Sequence, residues 1–213
     1  MACAICGIRK PRRFCPGVHG DICTLCCGNE REVTVDCPFD CTYLQEARKH
    51  EHTQPVNPDT FPNQDIRIKE EFLEEHEALL AAMARILLDA ALDTSGTVDI
   101  DMRDALDALV RTYRTMQSGV LYESRPVNAL AGQIFDFTQK KLEEYREAER
   151  EKLMSSRTRD SDVLLLLVFL QRLELDRNNG RPRGRAFMDF LRGFFSDEES
   201  AIAGPHASSL IVP

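Results

Sequence analysis

Apolar residues recur at helical spacing over most of the chain beyond residue 65, whereas the first 42 residues show no such period. Over Ile66–Leu92, Phe72, Leu73, Leu79, Leu80, Met83, Ile86 and Leu87 fall on one stripe, with Glu70, Glu74, Glu77 and Arg85 elsewhere. That pattern predicts an amphipathic helix, closed by Gly96. A second helix is predicted from about Asp99 to Ser118, with Asp101 and Asp104 spaced as an N-cap and its N3 partner and Leu106, Leu109, Val110, Tyr113 and Met116 as its apolar face. A third opens at Pro126 or Asn128 and continues to about Met154; Leu130, Ile134, Phe135 and Phe137 fill its first half, and charged i,i+4 pairs lace its second. The fourth, capped by Ser161 and ending at Leu175, holds the longest apolar run of the chain, Val163–Leu170. A helix that apolar belongs at the centre of a bundle. The run is far shorter than the roughly 20 residues that cross a bilayer, so no membrane partner is expected. Ala186–Phe195 makes a short fifth helix after the basic, glycine-rich loop Arg177–Gly184, and the acidic and then small residues from Ser196 read as a disordered tail.

The first 42 residues are punctuated by Gly7, Pro11, Pro16, Gly17, Gly20, Gly28 and Pro38, which predicts knuckles and loops. Alternation at Glu32–Val35 suggests a short strand, and Tyr43, Leu44 and Ala47 start a short helix. Prolines 55, 58 and 62 mark a linker. The expected organisation is a small module over residues 1–50, a linker over 51–64, a four- to five-helix bundle over 65–195 and a tail over 196–213. The fold class is mainly α.

All eight cysteines lie between Cys3 and Cys41. Cys3-x2-Cys6 and Cys23-x2-Cys26 have the spacing that lets a tight turn aim two sulfurs at one ion. Met1-Ala2-Cys3 lacks the basic and apolar segments of a secretory leader, so the expected compartment is the reducing cytosol, where clustered cysteines bind metal rather than form disulfides. Eight thiolates suit two four-cysteine zinc sites. In a cross-braced arrangement Cys3, Cys6, Cys23 and Cys26 hold one ion, and Cys15, Cys27, Cys37 and Cys41 the other. The alternative puts His19 in place of Cys27, keeping Cys15-x3-His19 as a ligand pair and leaving one thiol free. Either way the sites are closed by protein ligands, which argues for a folding role and against zinc catalysis.

The formal charge is -8. Eight thiolates would add -8 and two zinc ions +4, giving about -12 for the loaded protein. Such a chain repels nucleic acid unless a local patch overrides the mean field. Two segments qualify as patches: Arg9, Lys10, Arg12 and Arg13, and the loop carrying Arg181, Arg183 and Arg185, whose Gly180-Arg181-Pro182 resembles the core of the minor-groove AT-hook. The ordinary alternatives are that the first offsets thiolate charge and the second is a turn between helices. His50 and His52 read as solvated linker residues, and His76 has no nucleophile beside it in sequence. Aligning Gly96 with the glycine of a calcium loop puts Ala91 and Met102 at ligand positions, so that match fails.

Cys3-x2-Cys6, Phe14-Cys15-Pro16, Ile22-Cys23-x2-Cys26-Cys27-Gly28 and Asp36-Cys37-Pro38-x2-Cys41-x-Tyr43-Leu44, followed by Ala47-Arg48, together resemble a group of uncharacterised bacterial proteins with an N-terminal zinc-binding module and a helical remainder. In ligand order the first 50 residues are also similar to cross-brace fingers of the B-box and RING type, with cysteines where the B-box has histidines. The resemblance implies a fold and no activity. The function expected is a non-enzymatic adaptor with a protein partner. A nucleic-acid-binding regulator using the two basic segments is the alternative, and a thiol redox switch that releases zinc on oxidation is a third reading.

Overall fold

Helical spacing after residue 65 becomes six helices in the computed structural model, which describes residues 2–51, 57, 60–119, 122–154 and 157–201. Half of the expected linker (52–56, 58 and 59) and the end of the expected tail (202–213) lie outside these residues. The cysteine-rich segment contains strands β1 (Arg13–Cys15) and β2 (Gly20–Ile22) and helices α1 (Thr24–Glu30) and α2 (Thr42–Arg48). The helical part contains α3 (Glu70–Glu75), α4 (Glu77–Asp93), α5 (Asp99–Gln117), α6 (Ala129–Leu153), α7 (Asp160–Arg177) and α8 (Ala186–Ala201).

The periodic stripes meet in one core. Met83 and Leu87 of α4, Leu106 and Leu109 of α5, Ile134 and Phe135 of α6, Leu166 of α7 and Phe187 of α8 are fully buried there. Helix α7 is central: it packs on α4, α5 and α8, while α6 closes the other side against α4 and α5. No helix of the described residues is long and apolar enough to cross a membrane.

Four boundaries differ from the sequence reading; α7 runs Asp160–Arg177 behind an Arg159 N-cap, so Ser161 lies inside its first turn and is not the cap. The first predicted helix is divided at His76, whose ring stacks on Phe72 at 4.1 Å and whose Nε2 lies 3.7 Å from Asp162 Oδ2. In α5 the cap lies at Val98, and Asp101 accepts its N–H at 2.9 Å, so Asp101 is the N3 residue instead of the N-cap. Helix α8 continues six residues past Phe195, into the stretch read as tail. Asn128 does open α6, accepting N–H bonds from Leu130 at 2.9 Å and Ala131 at 3.5 Å.

Helix α8 has a borrowed cap. Asp99, at the start of α5 and only 4% exposed, accepts the N–H groups of Phe187 at 2.9 Å and Met188 at 3.2 Å. Burial pushes its carboxyl up to about 7, against those two bonds and with the negative field of Glu174 and Glu32 adding to the rise. The folded value exceeds the ordinary one of about 4, so this group stabilises the fold at low pH and that contribution is lost as pH rises through about 7. Asp99→Asn is therefore expected to flatten the fall in urea midpoint between pH 5 and pH 8. Equal slopes in the two proteins would assign the pH dependence elsewhere.

Candidate metal centre

Cys3 and Cys6 flank a tight turn that Gly7 closes with φ 66°, its N–H reaching Cys3 O at 2.8 Å. Cys3 N–H bonds Arg9 O at 2.9 Å, so the chain doubles back and leads into the antiparallel β1–β2 hairpin, paired Arg13↔Ile22, Phe14↔Asp21 and Cys15↔Gly20. Ala4 N–H bonds Asp21 O at 2.9 Å and ties the turn to the hairpin. The hairpin delivers Cys23 to the N-cap of α1, and Cys26 follows in the first turn.

Two turns and one helix start thus aim four sulfurs at one point. The Sγ atoms of Cys3, Cys6, Cys23 and Cys26 all lie within 4.8 Å of one another, a set positioned to hold a metal ion. Backbone N–H groups point at these sulfurs, with Cys23 N 3.2 Å from Cys3 Sγ and Cys26 N 3.4 Å from Cys23 Sγ. The N–H of Cys6, helped by those of Cys23 and Ile5, holds the Cys3 thiol down at about 6 against burial. The N–H of Arg9, then that of Ile8, lowers Cys6. Burial, with Cys23 next in effect, pushes Cys26 up to about 12. The cluster therefore stabilises thiolate at some sulfurs and keeps a proton on another, which a bound cation would displace. All eight cysteines are free thiols.

The other four cysteines line one small cavity. Cys15 ends β1, Cys27 follows Cys26 on α1, Cys37 lies on the connecting segment and Cys41 is the N-cap of α2. Together with Arg13, Ile22, Arg31, Val35, Tyr43 and Leu44 they line a cavity of about 10 Å³. Adjacent helical residues are offset by about 100°, so Cys26 and Cys27 point in different directions from α1. Burial raises the Cys37 thiol against a hydrogen bond from the Glu32 backbone, while the negative field of the Glu32 carboxylate, Cys15 and Cys41 adds to the rise. These sulfurs are more loosely gathered: among the described residues, only the first set brings three or more ligand atoms mutually within 4.8 Å. His19 is exposed, in a left-handed turn at φ 51°, and does not line this cavity, whereas Cys27 does.

Guanidinium groups surround the thiols. Arg9 sits beside Cys23 and Cys6, whose negative field raises its pKa, with the hydrogen bond to Cys23 the largest cause. Arg13 Nη1 lies 3.5 Å and Arg31 Nη2 3.8 Å from Cys27 Sγ, and Arg13 also stacks on Tyr43 at 4.1 Å. Within the first basic segment, Lys10 and Arg12 are exposed while Arg9 and Arg13 face sulfur.

The second basic segment is mostly occupied inside the protein. Arg181 donates to Arg31 O at 2.7 Å and pairs with Glu51 at 3.6 Å. Arg185 pairs with Asp36 and donates to Thr97 O at 2.7 Å. The Arg183 side chain is exposed, but its N–H bonds Glu32 O at 2.8 Å. Two of the three arginines of the loop that resembles an AT-hook are thus engaged within the protein, and the loop is a strap between the two parts of the chain.

The strap docks on Glu32, a fully buried residue of the cysteine-rich segment whose role the sequence pattern does not signal. Its predicted strand does not form. Residues 31–35 wind into a turn closed by an Arg31↔Val35 bridge, with Glu32 at φ 53°. Its carboxylate accepts Arg48 Nη2 at 2.7 Å, Asn179 Nδ2 at 2.8 Å and Arg185 N at 3.1 Å. Arg48 also pairs with Asp189 of α8. No family model, curated protein or solved structure matches the chain, so the centre is interpreted from its own geometry.

Proposed function

We propose that residues 1–50 form a structural zinc module of two four-cysteine sites, and that the protein is a non-enzymatic adaptor whose partner is another protein. The observation that carries the metal reading is the convergence of the Cys3, Cys6, Cys23 and Cys26 sulfurs within 4.8 Å. A tetrahedral site with Zn–S of about 2.3 Å needs sulfurs about 3.8 Å apart, a spacing compatible with that bound. Four thiolates select a soft or borderline ion, and a turn, hairpin and helix start in that order is a treble-clef-like arrangement. The Cys15, Cys27, Cys37 and Cys41 cavity takes the second ion, with Arg13 and Arg31 offsetting thiolate charge.

Zinc here supplies folding energy. The buried cluster of this segment consists mainly of cysteines, with Ile22, Val35 and Leu44 as its other fully enclosed members. That is too little apolar surface to order about 50 residues unaided. Four protein ligands leave no position for water or substrate, which separates the sites from Lewis-acid catalysis. Exposed Ile8, Phe14 and Leu25 on so small a module, in a chain of charge -8, favour a protein partner over a phosphate backbone.

Elemental analysis of protein purified without added metal is expected to give two zinc ions per chain, with the thiols unreactive until a chelator is added. A metal-free protein with eight reactive thiols would reject the reading. A single zinc with one site's thiols free would confine it to the first set.

A further inference from the structure

The 28–36 segment, enclosed between Cys27 on one side and Cys37 on the other, has two faces. One face lies on the sulfurs: Arg31 reaches Cys27 Sγ, and the Val35 side chain lines the second cavity. The other lies on the bundle: Arg31 O holds Arg181, Glu32 holds Asn179 and the backbone of Arg183 and Arg185, and Asp36 pairs with Arg185. Cys37 spans both, with its sulfur at the cavity and its carbonyl 3.4 Å from Arg185 Nη1. Just beyond it, Phe39 packs on the bundle core beneath the guanidinium of Arg192 at 4.4 Å. Few residues separate the sulfurs from the strap.

We infer that metal occupancy of the Cys15, Cys27, Cys37 and Cys41 set controls the docking of the 178–188 strap, making the joint between the cysteine-rich segment and the bundle metal-dependent. This rests on the zinc reading above. The physical reason is loop closure. An ion shared by Cys27 and Cys37 pins both ends of the intervening loop and so fixes where Glu32 presents its carboxylate. Glu32 holds a left-handed backbone conformation that a non-glycine residue adopts only when its surroundings enforce it. Without the ion, the loop ends separate, and the donors on Arg48, Asn179 and Arg185 lose a fixed acceptor. The contacts that remain are on the bundle side: Arg185 Nε on Thr97 O, the Asp99 N–H on Gly184 O, and the Asp99 carboxylate at the start of α8. Zinc loss is thus transmitted to a helix that contains no cysteine.

The test uses the full chain, zinc-loaded and chelated, followed by hydrogen exchange at the amides of Arg183 and Arg185 and by limited trypsin cleavage. Chelation is expected to speed exchange at both amides at least about tenfold and to open cleavage after Arg183 or Arg185. Complete zinc removal with the strap still protected would overturn the inference. Cys41→Ser, which leaves the first set intact, is expected to retain one zinc and to open the strap; one zinc with a protected strap overturns the assignment to the second set. Glu32→Ala separates metal binding from docking: it should keep both ions yet speed exchange at the Arg185 amide, whose acceptor is the Glu32 carboxylate. Wild-type protection in that variant would also overturn the coupling. Protein that never binds zinc refutes the underlying reading, and the inference with it.

Discussion

Cys23→Ser is expected to cost the chain its first zinc ion and, with it, the ordered structure of residues 3–30. Cys23 performs three tasks: its sulfur belongs to the convergent set, that sulfur accepts Cys26 N–H as the N-cap of α1, and its own N–H points at Cys3 Sγ. Serine keeps the backbone donor and is a good N-cap residue. It lacks a soft thiolate, so a structural failure in this variant reports the metal and not the helix cap. Structural zinc supplies on the order of 10 kcal/mol or more to modules of this kind, far above what a seven-residue helix or a hairpin of two three-residue strands gains alone. Elemental analysis should show the loss of at least one ion, and hydrogen exchange should show residues 3–30 unprotected. The bundle should persist, because Met83, Leu106, Ile134 and Leu166 belong to a core that contains no cysteine. Unchanged zinc content in Cys23→Ser would rule out the proposed first site.

The difference between these two parts also explains how much could be read from the chain. Helices α4, α5, α6 and α8 follow from periodic apolar stripes, since each is long enough for the period to repeat, and α7 follows from its unbroken apolar run Val163–Leu170. The cysteine-rich segment offers no such redundancy. Strands of three residues carry no detectable alternation, and α1, Thr-Leu-Cys-Cys-Gly-Asn-Glu, has no apolar stripe. Its order comes from contacts distant in sequence. The Glu32–Val35 alternation misleads for the same reason: the donors to the Glu32 carboxylate come from Arg48, Asn179 and Arg185, and they hold a turn where local pattern suggests a strand. Cysteine spacing is the exception, because ligand pairs two residues apart are a local signal. It pointed to Cys3, Cys6, Cys23 and Cys26, whose sulfurs do converge. The choice between His19 and Cys27 was not legible, since it depends on which way one turn of α1 faces relative to the end of the hairpin.

Arg103→Ala is expected to destabilise the bundle by about 3 kcal/mol at neutral pH, toward the low end for a broken buried pair because Arg103 remains partly exposed. Glu174 lies on the central helix with no solvent exposure, and Arg103 grips it with two bonds, Nε to Oε2 at 2.8 Å and Nη2 to Oε1 at 3.0 Å. Burial already raises the Glu174 pKa, and Asp107 and Asp104 add to that rise, while Arg103 is the group that opposes it. Removing the guanidinium leaves an unpaired carboxylate in the core. Because the folded pKa then lies further above the unfolded value, the variant should be least impaired below about pH 4, where Glu174 is protonated in both states. The deficit should grow as pH rises toward the folded pKa, so thermal melts at pH 4.5 and pH 8 should differ more for Arg103→Ala than for wild type. A second substitution separates lost charge pairing from lost packing. Arg103→Ala with Glu174→Gln removes the stranded charge and should recover most of the neutral-pH loss and abolish the extra pH dependence. If the double variant melts no higher than Arg103→Ala at pH 8, the arginine contributes through its aliphatic stem, and the ion pair is not what stabilises the α5–α7 contact.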